Sequence, residues 1–215
     1  VVEGMNAIGI PVMTGYGITE CSPVVCCNIP KRQKTGSVGI PTPFCEVRVS
    51  DGELLIRGDI VAQGYYGMPE QTAEVFVDGW FHTGDLGHID QNGFIYVTGR
   101  KKNVIVLSNG ENVSPEELEM LLLNIPGVSE AMIQLSYAND LDYLSAVIYP
   151  DAEYMRNYEK DSYELHLKQA IQEINMTLSS FKQIKSVKIS QEPAQRTALG
   201  KLQRNGAAPE NVCSC

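Results

Sequence analysis

The stretch at 79–100, which reads GWFHTGDLGHIDQNGFIYVTGR, carries side chains that suit the binding of a hydroxylated ligand. Asp85 follows a threonine and a glycine, and glycine allows a tight turn in which a carboxylate can accept hydrogen bonds from ligand hydroxyls. The apolar residues at 94–97 predict a short buried strand that leads to Arg100. We therefore expect Asp85 and Arg100 at a turn and at a strand end, where binding residues commonly lie.

A second group of polar residues lies near the start of the chain, at Tyr16, Gly17, Thr19 and Glu20. Glycines on both sides of the tyrosine permit unusual backbone angles and the close approach of a flat or anionic ligand. Thr19 offers a hydroxyl and Glu20 a carboxylate, and a hard cation prefers such oxygen ligands. Read alone, these residues favour an ordinary surface turn, preceded by a buried strand that the apolar residues at 10–13 predict.

Two lysine positions also have an ordinary explanation when they are read alone. Lys201 follows a glycine in the run RTALGKLQR at 196–204, and an isolated lysine in a polar loop is usually a solvated charge. Lys101 and Lys102 interrupt two apolar segments, which is typical of a charged turn in contact with water.

Short strands joined by tight turns are the elements expected to position the first polar group. Strands are predicted at 47–49, 53–58 and 94–97, with glycine-containing turns between them. Residues 69–75, which include Glu and Ala, predict one or two turns of helix. This pattern indicates a small barrel or a piece of a sandwich.

Residues 103–190 predict a compact arrangement in the order β-α-β-β-α-β. The strands are expected at 104–107, 131–137, 143–149 and 186–190, and the helices at 115–124 and 164–180. Ser114, Pro115 and Glu117 predict the start of the first helix, with Ser114 as its cap and Glu117 closing a capping box.

Composition argues against several classes of function. The net charge of −9 is unfavourable for a nucleic-acid or anionic-membrane surface, and the 43% of hydrophobic residues is ordinary for a globular protein. The sequence contains no long apolar segment and no secretory signal, which favours a cytoplasmic protein without a transmembrane segment. The six cysteines and three histidines form no zinc-binding pattern, so reduced thiols are expected.

Five motifs occur in an order and at a spacing that resemble the adenylate-forming superfamily, and they lie at 16–20, 52–58, 83–85, 99–100 and 196–204. That superfamily includes acyl- and aryl-CoA synthetases, luciferases and the adenylation domains of peptide synthetases. The motifs are most similar to those of a fatty-acid CoA ligase. Members carry a Ser/Thr/Gly-rich phosphate loop well before the first of these motifs, and no such loop is present in this sequence. The resemblance therefore implies the C-terminal part of a larger enzyme, and a fragment that is inactive alone.

For the nucleotide, the resemblance implies contacts from the first half of the chain. Tyr16 would flank the adenine, and Gly17 would belong to the same cofactor-binding segment. Asp85 would accept the ribose hydroxyls, and Arg100 would reach the same nucleotide. The implied cofactors are ATP or AMP, Mg²⁺ and coenzyme A.

The resemblance also implies three residues that act on the phosphates and on the reacting carboxylate. Thr19 would contact the nucleotide phosphate, Glu20 would help to hold Mg²⁺, and Lys201 would steady the substrate carboxylate and the α-phosphate in the first half-reaction. The sequence departs from the family at Gln195, where proline is usual, while Gly200 and Lys201 are retained.

The domain organisation that the resemblance implies has a hinge at Lys102. Residues 1–101 would form the end of a large N-terminal domain with a β-rich partial barrel, and 102–205 a small rotating α+β domain, followed by a disordered tail at 206–215. The fold class is therefore mixed α/β. After rotation of the small domain, the loop around Gly110 would line the channel for the acceptor thiol.

The implied reaction converts a carboxylic acid, in this subfamily a fatty acid, and ATP into acyl-AMP and pyrophosphate, and then transfers the acyl group to CoA. Two alternatives stay open. One is a non-catalytic, truncated nucleotide-binding or interaction module, and the other is an adenylating enzyme with a carrier-protein acceptor. Apolar surface left by the missing N-terminal part is expected to favour self-association.

Overall fold

In the computed structural model the chain divides into two compact units, Val1–Lys102 and Asn103–Cys215. The structure describes residues 2–139, 141–156, 160–190, 192–194 and 196. No helix in these ranges is both long enough and apolar enough to span a lipid bilayer.

Antiparallel strands dominate the first unit. Its elements are α1 (Val2–Ala7), β1 (Gly15–Gly17), β2 (Val24–Cys27), β3 (Ile40–Pro41), β4 (Cys45–Ser50), β5 (Glu53–Gly58), α2 (Pro69–Val75), β6 (Phe76–Val77), β7 (Trp80–Ile89) and β8 (Ile95–Arg100). Strands β1, β2 and β3 form one sheet, and a second sheet has the order β4-β5-β7-β6 with β8 also paired to β7. Two short 3₁₀ turns, Thr19–Cys21 and Lys101–Asn103, follow β1 and β8.

Strand β5 supplies the centre of this unit's core. Leu54 and Ile56 are fully buried, and they belong to two adjacent apolar clusters. The turn at Asp51 and Gly52, where φ is 49° and 77°, closes the β4–β5 hairpin. Positive φ at both central residues suits the right-handed twist of paired strands, so the predicted glycine-containing turn forms as expected.

Two expectations for this unit are wrong in detail. Residues 10–13 form no strand, and Ile10 and Met13 are 47% and 54% exposed. An apolar run does not define a strand, because burial also requires a partner that the run itself cannot specify. Asp85 lies within the ten-residue strand β7 rather than at a turn, and Gly84 before it takes a φ of +68° inside that strand.

The second unit combines a three-stranded sheet with helices. Its elements are β9 (Ile105–Val106), β10 (Asn112–Val113), α3 (Pro115–Leu122), β11 (Val128–Ala138), β12 (Leu141–Pro150), α4 (Ala152–Met155), α5 (Lys160–Thr177) and β13 (Ile184–Ile189). The sheet order is β11-β12-β13, with β12 antiparallel to β11 and parallel to β13. Strands β9 and β10 form a separate hairpin.

One apolar cluster joins the helices of this unit to its sheet. Leu118 of α3 and Leu167 of α5 are buried together with Leu144 and Ile148 of β12. The helical period of the apolar residues in α5 therefore marks a core face, as the sequence predicts. These features confirm a mixed α/β fold.

The start of α3 is predicted correctly, but its cap is not. The helix begins at Pro115 as expected, whereas the Ser114 side chain makes no capping hydrogen bond to the helix backbone. Its hydroxyl donates instead to the Glu116 carboxylate at 3.1 Å, and Glu117 accepts from Lys182 at 2.8 and 3.0 Å. A charged acceptor competes successfully for the serine hydroxyl.

Candidate active site

The carboxylate of Asp85 lies at the centre of the candidate site. Asp85 in β7 is paired with Arg100 in β8 and is 2% exposed. Its Oδ2 accepts a hydrogen bond of 2.5 Å from the Tyr16 hydroxyl, and its Oδ1 lies 2.6 Å from Arg100 Nε. The structure therefore brings together three of the predicted site residues.

Burial and the charge of Asp85 keep Tyr16 in its protonated form. Burial raises the pKa of the Tyr16 hydroxyl, and the hydrogen bond to Asp85 raises it further. Tyr16 therefore acts as a hydrogen-bond donor throughout the physiological pH range. An ionised carboxylate offers about four acceptor positions, so Asp85 can accept further hydrogen bonds from a ligand while it keeps these partners.

Thr83 fixes the backbone beside this carboxylate. Its hydroxyl donates to the carbonyl oxygen of Leu54 in β5 at 2.7 Å and accepts from the amide of Asp85 at 2.9 Å. Thr83 is 8% exposed. The hydroxyl thus connects β5 and β7 where Gly84 interrupts their regular pairing, and it holds Asp85 at a defined position.

Glu53 is a second buried carboxylate on this sheet, and the sequence predicts it only as part of a strand. It is 5% exposed, accepts from the Gly84 amide at 2.9 Å, and pairs with Lys101 at 3.0 Å. His82 Nδ1 lies 3.5 Å from it. Burial opposes ionisation of Glu53, but the hydrogen bonds from Lys101 and Gly84 outweigh it and hold the pKa below its usual value. An acidic residue at the head of a buried strand is the signal that could have revealed this role.

Thr19 and Glu20 lie in the 3₁₀ turn that follows β1. The turn is anchored by the fully buried Cys21, and Thr19 is exposed. The Glu20 carbonyl accepts from the Ala62 amide at 2.7 Å, and its side-chain Oε1 accepts from the Tyr65 hydroxyl at 2.7 Å. The sequence contained no signal for this use of Tyr65, because the two residues meet only through the fold.

Gly17, predicted to bind cofactor, has a structural explanation in the fold of this unit. A Cβ at this position would lie 1.9 Å from the carbonyl oxygen of Pro23. The close approach occurs where β1 pairs with β2 through an irregular register. Only glycine allows two backbones to come this close, so the residue type follows from the chain's own packing.

In the second unit, Gly110 occupies the turn of the β9–β10 hairpin. Its φ is +85° and its amide donates to the Leu107 carbonyl at 2.8 Å. The same turn is fastened to β12 by Ser108, whose amide and hydroxyl donate to the Asp142 carboxylate at 2.5 and 2.6 Å. These hydrogen bonds from Ser108 hold the pKa of Asp142 below its usual value. Gly110 therefore sits in a turn held by a charged side chain.

Of the two predicted lysines, Lys102 and Lys201, the structure describes the first. Lys102 is exposed and lies in the 3₁₀ turn Lys101–Asn103, as the last residue of the first unit. Lys201 lies outside the described residues, as does the tail predicted at 206–215.

A cavity of about 350 Å³ opens elsewhere in the first unit, beside Thr14, Asn28 and Ser37. Its lining includes none of the predicted site residues. Asn28 is 2% exposed, and its amide donates to Thr14 and to the Ser37 carbonyl at 2.6 and 2.9 Å. These bonds satisfy the buried amide, which is a structural role.

Across the described ranges, no group of three or more His, Cys, Asp or Glu side chains could hold a metal ion.

Two family models match the chain. A model described as AMP-binding enzyme matches residues 1–66, and a model described as AMP-binding enzyme C-terminal domain matches residues 102–210, about half of the chain. The chain belongs to the AMP-binding enzyme family. This confirms the resemblance to the adenylate-forming superfamily.

Curated relatives of this AMP-binding enzyme chain carry the names of CoA ligases. The long-chain-fatty-acid–CoA ligase FadD15 of Mycobacterium bovis is 44% identical over 126 residues, which cover 58% of this chain and 21% of that protein. The 2-succinylbenzoate–CoA ligase of Bacillus cytotoxicus is 40% identical over 135 residues, which cover 57% of this chain and 28% of that protein. The chain thus spans only a minor part of the length of these relatives.

Solved structures of CoA ligases share the fold of the AMP-binding chain. The anthranilate CoA ligase AuaEII in complex with anthranoyl-AMP has a TM-score of 0.79 at 25% identity, over 93% of this chain and 40% of that one. The O-succinylbenzoate CoA synthetase MenE of Bacillus subtilis in complex with AMP has a TM-score of 0.77 at 26% identity, over 98% and 44%. MenE has also been solved with ATP and a magnesium ion.

Proposed function

We propose that the protein containing this chain is an ATP-dependent acyl-CoA synthetase. The carboxylate of the acid attacks the α-phosphorus of ATP, which forms acyl-AMP and releases pyrophosphate. The thiol of CoA then attacks the acyl carbon, which forms the thioester and releases AMP. The names of the relatives as CoA ligases and the AMP, acyl-AMP and ATP complexes of the structural neighbours support this proposal.

The observation that carries the proposal is the buried Asp85 carboxylate with Tyr16 and Arg100 around it. A desolvated carboxylate with free acceptor positions suits the paired hydroxyls of a ribose, because hydrogen bonds to an ionised acceptor are stronger than neutral ones. The aromatic ring of Tyr16 can flank the adenine, and the half-exposed Arg100 can reach the same nucleotide.

The turn that holds Thr19 and Glu20 suits the phosphate side of the nucleotide. Thr19 is exposed and offers a hydroxyl to a phosphate oxygen. Glu20 offers a carboxylate to Mg²⁺, which proteins usually hold through one or two carboxylates together with substrate phosphates. When bound, Mg²⁺ neutralises charge on the phosphates during attack by the carboxylate.

Three assignments for residues from Lys102 onward are part of the same proposal. Lys201 brings an ammonium to the substrate carboxylate and the α-phosphate, where negative charge accumulates during attack. Lys102 is the hinge about which the small domain rotates between the two half-reactions. In the second of these, the turn around Gly110 lines the path of the thiol.

We propose a fatty acid as the acid substrate. This is supported by a relative named long-chain-fatty-acid–CoA ligase at 44% identity, although relatives named for aryl acids are also similar. A cytoplasmic location and self-association through exposed apolar side chains stay predictions, and light scattering of the purified protein tests the second.

Pyrophosphate release by the full-length protein tests the function. The assay uses ATP and Mg²⁺ with panels of fatty and aryl acids, with and without CoA, and compares Lys201→Ala with Lys185→Ala. Lys185 is exposed and donates to Gln183, so it is a matched lysine without a proposed role. We expect acid-dependent release in the parent and in Lys185→Ala, and a rate about 100- to 1,000-fold lower in Lys201→Ala.

The acid that supports release identifies the substrate class in the same experiment. Thioester formation with free CoA supports a CoA ligase, whereas transfer only to a phosphopantetheinyl carrier protein supports the alternative acceptor. Equal rates for both lysine variants would show that Lys201 has no role in adenylation.

A further inference from the structure

The carboxylate of Glu20 has no basic side chain as a partner among the described residues. Glu20 is partly exposed, and no lysine, arginine or histidine of the described ranges forms an ion pair with it. By contrast, Asp85 and Glu53 each pair with a basic side chain. A carboxylate without a cationic partner next to a proposed phosphate site is suited to an external cation.

One oxygen of this carboxylate is nevertheless fixed. Oε1 of Glu20 accepts a hydrogen bond of 2.7 Å from the Tyr65 hydroxyl. A phenol hydroxyl is ordinarily protonated at neutral pH, so Tyr65 is the donor in this bond. The bond restricts the rotation of a flexible side chain and leaves Oε2 for another ligand.

Tyr65 is itself held by the surrounding fold. Its amide donates to the Thr72 hydroxyl of α2 at 2.9 Å, and its ring meets Phe76 edge to face with centroids 6.0 Å apart. Thr72 also crowds Gly64, where φ is +151° and a Cβ would lie 2.5 Å from the threonine methyl group. The neighbouring amide of Ala62 donates to the Glu20 carbonyl. Ala62 and Tyr65 therefore hold the backbone and the side chain of Glu20, each by one hydrogen bond.

We propose that Tyr65 is a positioning residue that orients the Glu20 carboxylate for the divalent cation of the metal–nucleotide complex. The inference rests on the proposed function, and it adds a residue that no sequence motif identified. Hydrogen-bonded partners of metal-ligating carboxylates fix the ligand's orientation, and their loss typically lowers metal affinity or activity by 10- to 100-fold.

The matched pair Tyr65→Phe and Tyr66→Phe tests the inference in the full-length protein. Each variant loses one hydroxyl and keeps its ring, and Tyr66 is fully exposed at 103% whereas Tyr65 is 36% exposed. Isothermal titration calorimetry measures the ATP dissociation constant with Mg²⁺ and again with EDTA. The dissociation constant in EDTA divided by the constant with Mg²⁺ gives the factor by which the cation tightens the binding of ATP.

We expect Tyr65→Phe to reduce this ratio about tenfold and to leave the affinity in EDTA unchanged. Tyr66→Phe should match the parent in both conditions. In a Glu20→Gln background, Tyr65→Phe should have no further effect on the ratio, because the two residues act through one contact. Thermal midpoints within about 2 °C of the parent would show that the variants are folded.

Different failures have different meanings. If the parent binds ATP more tightly with Mg²⁺ but Tyr65→Phe keeps the full ratio, the role of Tyr65 is wrong and the proposed function stands. If Tyr65→Phe weakens binding equally with Mg²⁺ and with EDTA, its role is structural and the inference is overturned. If the parent shows no Mg²⁺-dependent binding of ATP, the proposed function fails together with the inference.

Discussion

Asp85 and Glu53 are two buried carboxylates on neighbouring strands of one sheet, and they differ in what holds them. Their side chains are 3% and 7% exposed. Glu53 accepts from a backbone amide, that of Gly84, and pairs with Lys101. Asp85 is held by two side chains, the hydroxyl of Tyr16 and the half-exposed guanidinium of Arg100.

The difference separates a structural carboxylate from one that suits a ligand. The partly buried amide of Gly84 has its acceptor within the fold, so Glu53 is committed to its partners. The donors of Asp85 both lie on side chains, and the carboxylate keeps further acceptor positions for a ligand. Burial alone does not mark a binding carboxylate, and the nature of the donors is the better guide.

The largest effect is expected from Asp85→Asn on nucleotide binding. Asparagine keeps the shape but removes the charge that would strengthen the proposed hydrogen bonds to the ribose hydroxyls, so the ATP dissociation constant should rise about 100-fold. Calorimetry on the full-length protein measures this. Asp78→Asn is the control, because Asp78 lies in an exposed turn with φ +51°, which asparagine tolerates. An unchanged ATP affinity in Asp85→Asn would show that the charge of Asp85 does not contribute to nucleotide binding.

Glu53→Ala should show the opposite behaviour, with a loss of stability and little loss of nucleotide affinity. Without the carboxylate, the Gly84 amide lacks its acceptor, and the free energy of opening of β7 should fall by about 2 kcal/mol. Native-state hydrogen exchange of the β7 amides measures this locally. The control is Glu46→Ala, whose side chain is 66% exposed and pairs with Arg57 at the surface. Equal protection in the two variants would contradict a structural role of Glu53.

The smallest effect is the pH dependence of the Glu53 contribution. Since the folded state holds the pKa of Glu53 below its usual value, the ionised form stabilises the fold. This stabilisation is complete above the ordinary glutamate pKa of about 4.3 and is lost as pH falls through the lowered value. Glu53→Gln should therefore cost about 1 kcal/mol near pH 7, and the difference from the parent should shrink below about pH 4. A difference that stays constant down to pH 3 would show that the charge of Glu53 contributes nothing.

The main elements of both units follow from local patterns. Proline before two glutamates predicts the start of α3, and the helical apolar period predicts the buried face of α5. Residues 10–13 show the limit, because an apolar run that pairs with no strand stays partly exposed. The Ser114 cap shows a second limit, since a nearby carboxylate competes with the helix backbone for its hydroxyl.

The sequence by itself determined the family resemblance, the strand and helix types, and the identity of Tyr16, Asp85 and Arg100 as site candidates. Motif order and residue types are properties of the sequence and can be recognised without the tertiary structure. Only the tertiary structure decided that Tyr16 and Arg100 both contact the Asp85 carboxylate, because the three residues come from three different strands. The contacts that Glu53 and Tyr65 make were decided at the same level. Their partners lie far along the chain, and no local pattern encodes which strand or loop will bring such groups within hydrogen-bonding distance.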